Sequence, residues 1–109
     1  MEWVSIHYRD FYDLPRIFVT NYQGQLYLFD CPFDDELDDY PDSYRVYQLP
    51  ALTEAELEGS WEHLPELAIS FLGLITVTEV QFDPAKRERI NTAIFSKLLA
   101  QQAPQTLVA

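Results

Sequence analysis

The sequence predicts an α+β domain: a curled or barrel-like antiparallel sheet of four to five strands, with a C-terminal helix packed on it. Three observations carry that expectation. Aromatic and β-branched residues alternate along 16–22 and 25–31, on either side of Gln23-Gly24. Similar runs recur at 3–8, 43–49 and 74–82, each bounded by proline, glycine or charged residues. A last stretch, about 84–101, carries Ile90, Ala93, Ile94 and Leu98 at helical spacing, with Phe95 and Leu99 widening the stripe.

In 3–8, Val4, Ile6 and Tyr8 share one side and Trp3, Ser5 and His7 the other. The charged stretch 9–13 reads as a bend, and Pro15, lacking an N–H, is expected to stop the pairing. For the hairpin, Gln23-Gly24 makes a two-residue turn because glycine accepts positive φ. Tyr22 then pairs with Gln25, Thr20 with Tyr27, Val19 with Leu28 and Phe18 with Phe29. A four-residue loop over 21–24 would pair Val19 with Leu26 and Phe18 with Tyr27 instead. Both registers put Ile17, Val19, Leu26 and Leu28 on one face, and Phe18, Thr20, Tyr22, Tyr27 and Phe29 on the other. Neither face is plainly polar, so the sheet needs cover on both sides.

The loop 30–42 holds seven carboxylates (Asp30, Asp34, Asp35, Glu36, Asp38, Asp39, Asp42) and no basic residue, between Pro32 and Pro41. Repulsion at that density argues against regular structure there. In 43–49, Tyr44 and Val46 oppose Arg45, Tyr47 and Leu49. Thr53 and Glu56 form a capping box for a short helix, 53–58, which Gly59 would close. The stretch 60–72 has helical spacing at Leu64, Leu67, Ala68, Phe71 and Leu72, with a strand left open. Asp83-Pro84 predicts the start of the C-terminal helix, and Pro104 its end, leaving 103–109 as a tail. Lys86, Arg87, Arg89 and Lys97 would then make that helix mildly basic.

The 109 residues, 48% hydrophobic and 15% aromatic, fit one domain over 1–109. No basic-plus-apolar leader opens the sequence, and no apolar run approaches the ~18 residues of a membrane span. The single cysteine, Cys31, excludes an internal disulfide, and a cytoplasmic setting is expected. Eighteen acidic against seven basic residues give a formal charge of −11. That balance argues against direct binding of nucleic acid or of an anionic membrane, and favours a basic partner.

No spacing of catalytic or metal-binding type appears. The loop lacks the glycine and closing glutamate of a calcium hand. His7 and His63 are isolated, and acidic neighbours would raise the thiol pKa of Cys31. Glycines at 24, 59 and 73 cradle no phosphate. The expectation is a non-enzymatic interaction module (adaptor, inhibitor or subunit) with no cofactor or metal. Its surface would be Phe33, Asp34, Asp35, Glu36, Asp38, Asp39, Tyr40 and Asp42 with neighbouring tyrosines, set against a basic protein surface. Two alternatives stand beside it. One is a DNA mimic inhibiting a nucleic-acid-binding protein; the other is a small-molecule-binding domain or enzyme using the sheet interior. Strands apolar on both sides also permit a homodimer.

Overall fold

The computed structural model describes residues 2–12, 14–58, 61, 63–85 and 87–107. Strands β1 (Trp3–Tyr12), β2 (Leu14–Tyr22), β3 (Gln25–Asp30), β4 (Ser43–Leu49), β5 (Ser70–Thr76) and β6 (Arg89–Asn91) form one antiparallel sheet among the described residues. Its order is β5-β4-β3-β2-β1-β6, a meander to which the last strand returns at the far edge. Six strands exceed the expected four to five, and the sheet does not close into a barrel. With β5 at one edge and the three-residue β6 at the other, helices cover its faces instead.

The two-residue hairpin register holds. Gln23 and Gly24 both sit at positive φ, 52° and 79°, as the tight turn requires. Tyr22 pairs with Gln25, and Val19 with Leu28. The parity of the central strands then builds two cores, one on each face. Phe18, Phe29, Tyr44 and Val46 pack with Ile94, Phe95 and Leu98 of helix α3 (Ala93–Leu107). Phe18 stacks on Phe29, with ring centres 4.7 Å apart, and Tyr22 stacks on Phe95 at 4.2 Å. On the opposite face, Val19, Leu28 and Leu49 meet Trp61 and Leu64, carried by the segment of α1 (Glu54–Glu58) and α2 (Leu64–Leu67). The capping box forms: the Thr53 N–H donates to Glu56 Oε1 (3.1 Å), and the Glu56 N–H to Thr53 Oγ1 (3.2 Å). Gly59 lies outside the described residues.

Several expectations are corrected. β1 runs on to Tyr12 through register shifts beyond Tyr8, and Pro15 pairs with Phe11 rather than stopping the ladder. Proline is tolerated near a strand's start and beside such irregularities. The stretch 60–72 divides into the short helix α2 and the first half of β5. The strand expected at 74–82 ends at Thr76, because Glu79 accepts the Thr76 N–H (2.9 Å) and closes the turn Val77–Glu79. Local side-chain hydrogen bonding there outweighs β-branched propensity.

The C-terminal helix begins at Ala93, not near 84. Asp83 is spent differently: Oδ1 accepts the Ala85 N–H (3.0 Å), and Oδ2 takes the guanidinium of Arg89 (2.6 Å). That turn feeds β6, and Asn91 Oδ1 then accepts the Ala93 N–H (2.8 Å) at the real helix start. Pro104 lies inside α3 and does not end it. Nor is the helix a basic one. Arg87 and Arg89 precede it, and its Lys97 is paired with Glu79. Lys86 lies outside the described residues.

Candidate functional site

The acidic loop forms no helix or strand between β3 and β4, as its charge density suggests, but hydrogen bonds shape it into a turn. Its start is anchored where the Cys31 N–H donates to the Arg16 carbonyl (2.9 Å) and the buried thiol to the Pro41 carbonyl (3.3 Å). Asp34 and Asp39 bridge through their backbones, at 2.9 and 3.4 Å. Asp34 Oδ1 accepts the N–H of Glu36 (2.9 Å) and of Leu37 (3.3 Å), and Asp39 Oδ1 accepts that of Tyr40 (2.7 Å). Asp38 takes the positive φ, 54°, that closes the turn. Two of the carboxylates are thus stabilised by backbone N–H donors, which partial charge attracts and solvent screens.

The predicted residues divide by position. Asp35, Glu36, Asp38, Asp39 and Asp42 are exposed, and Asp34 is half-buried. Phe33 stands 47% exposed and Leu37 62%. Tyr40 turns inward instead, packing against the core and edge-on to Phe33 (5.3 Å), with the Arg16 guanidinium over its ring (4.7 Å). The ion pairs Asp83–Arg89 and Glu79–Lys97 involve none of the loop carboxylates.

Beside the loop is a surface that the sequence reading missed. β5 carries a bulge: Val46 pairs with Gly73 and Tyr47 with Phe71, leaving Leu72 as the extra residue. Gly73 adopts φ 128°, a conformation open to glycine. Leu72 and Ile75 therefore both enter the α3-side core, while Phe71 and Leu74 both emerge on the other face. There they are 52% and 60% exposed, beside Ile69 at 60%. The α1–α2 segment covers the part of this face over Val19, Leu28 and Leu49 and leaves the β5 side open. A trough of about 760 Å³ runs from Leu74 and Arg45 past Asp30 to Phe33 and the loop carboxylates. Burial pushes the Asp30 carboxyl above its usual value, with Arg45 pulling the other way. No family model matches the chain, and no curated protein or solved structure does either.

The remaining candidates do not converge. Cys31 belongs to the α3-side core, and burial raises its thiol pKa despite nearby Arg16. His7 lies on the other face, lining a groove of about 380 Å³ with Val19, Leu57 and Trp61, so it does not meet the thiol. His63 is exposed. Among the described residues, no three His, Cys, Asp or Glu side chains gather as a metal would need. Of the tyrosines, Tyr27 and Tyr44 are buried in the core, whereas Tyr47 is half-buried and touches Phe71 (5.3 Å). No helix among the described residues is long and apolar enough to cross a membrane.

Proposed function

We propose that this protein is an acidic interaction module which binds a basic protein surface through the 30–42 loop, in a cytoplasmic setting and without catalysis of its own. One observation carries the reading: the loop's carboxylates are displayed by a hydrogen-bonded scaffold, next to exposed Phe33 and Leu37. An ordered display loses little conformational entropy on binding, and an apolar anchor beside charge gives both steering and residence. Asp35, Glu36, Asp38 and Asp42 supply the charge, while Asp34 and Asp39 shape the loop. The alternative of a DNA mimic calls for charge spaced along an elongated face, whereas seven of the eighteen acidic residues sit on this one loop. A small-molecule binder or enzyme using the sheet interior calls for a deep apolar pocket holding His7, His63 or Cys31; Cys31 is packed in the α3-side core, His7 lines a groove on the other face, and His63 is exposed.

The test is a pull-down at low salt from the source cell, read by mass spectrometry, followed by titration of the captured protein. Neutralising three of the four side chains that supply the charge (Asp35→Asn, Glu36→Gln, Asp38→Asn) should weaken binding by at least about tenfold and flatten its salt dependence. Binding that is unchanged by all three removes the loop as the site.

A further inference from the structure

The uncovered face between β4 and β5 adds nothing to the loop's charge, yet it leaves Phe71 and Leu74 52% and 60% exposed. Tyr47, Phe71 and Leu74 form a continuous strip there, with Arg45 at its loop end. Large apolar side chains grouped on one side of a small domain mark an interaction surface more often than scattered exposure does. The same face is covered by helices over its other half, so its local geometry already suits a helix lying across strands. The outer edge of β5 is less suited to adding a strand, since the Thr76 N–H there is taken by Glu79.

Charge decides what the occupant is. The trough that joins this strip to the loop is walled by Asp30, Asp34, Asp35, Glu36 and Asp42, with Arg45 in its floor. A second copy would bring the same wall and another −11 of formal charge against it. We infer that the strip receives an amphipathic helix of the basic partner, its apolar face on Tyr47, Phe71 and Leu74 and its lysines or arginines against the loop. This assignment rests on the function proposed above and adds the shape and polarity of what is bound.

A defined probe tests it: a synthetic leucine–lysine peptide with helical amphipathic spacing, beside a scrambled peptide of the same composition. Binding is followed by calorimetry near physiological salt and mapped by backbone NMR shifts. The amphipathic peptide should bind at least about tenfold tighter than the scrambled one. Phe71→Ser and Leu74→Ser, both at exposed positions, should abolish that preference while leaving weak binding of the scrambled peptide intact. The loop variant should weaken both peptides. Equal affinity for the two peptides, or shifts confined to 30–42, would overturn the helix assignment and leave the loop reading standing. Loss of neither peptide in the loop variant would sink the loop reading itself. Light scattering that shows a dimer broken by Leu74→Ser would assign the strip to a second copy instead.

Discussion

Tyr44→Phe isolates one buried polar contact. The Tyr44 ring is fully buried between Phe18 and Phe29, and its hydroxyl donates to the Pro15 carbonyl at 2.6 Å. That bond reaches from β4 past β3 to the start of β2, tying down the segment where proline removes a ladder donor. Burial pushes the hydroxyl pKa up, which favours the neutral, donating form. Phenylalanine keeps the ring and its packing but deletes the donor and leaves the carbonyl short of a partner. A neutral buried hydrogen bond lost in this way costs about 1–2 kcal/mol. For a domain of this size each kcal/mol moves the melting midpoint by roughly 4–8 °C, and about 1.5 kcal/mol shifts a urea midpoint by nearly ~1 M at a slope of about 1.5 kcal/mol per molar. Urea titration followed by fluorescence reads it, with half-buried Tyr47→Phe as the comparison. A Tyr44→Phe midpoint equal to or above that of the parent would refute the view that this hydroxyl secures the proline end of β2.

Two further outcomes follow from the same structure. Thr53→Ala removes the reciprocal cap of α1 and should cost about 1 kcal/mol, read through Trp61, whose indole N–H donates to the Leu57 carbonyl; no loss would mean that the helix is held by packing alone. Asp30→Asn tests the raised carboxyl: its protonated form is favoured on folding, so its contribution is full below the ordinary value of 3.8 and is lost as pH rises through the higher folded value. The stability of the Asn variant relative to the parent should therefore be greater at pH 7 than at pH 3 by urea titration, and the opposite trend would show that pairing with Arg45 outweighs burial.

Much of the sheet was legible because alternation is a strong signal where both faces are apolar. Phe18, Phe29 and Tyr44 on one side, with Val19, Leu28 and Leu49 on the other, need no tertiary knowledge to be sorted. The capping box of α1 was equally local. What failed were the places where one short polar side chain chose between two local partners. Asp83 reads as a helix cap, but it serves a turn and Arg89, while the cap that is used, Asn91, stands eight positions later in the sequence. Glu79 ended a strand whose residues favoured continuing. The absence of regular structure in the acidic loop was legible, but its turn was not, because counting charges ignores the backbone donors that a tight turn presents to them. The strip on β5 was hidden by a bulge: Phe71 and Leu74, three apart, fall on opposite sides of an unbroken strand.

The bulge at Leu72, next to Gly73, divides β5 into two sets of demands. Leu72 and Ile75 pack into the interior, whereas Phe71 and Leu74 stand half or more exposed on the other face, Phe71 against Tyr47. Changes of size or polarity at the exposed pair therefore fall outside the core that Leu72 and Ile75 help to fill, so the outer face of β5 can vary in sequence at little cost to the fold.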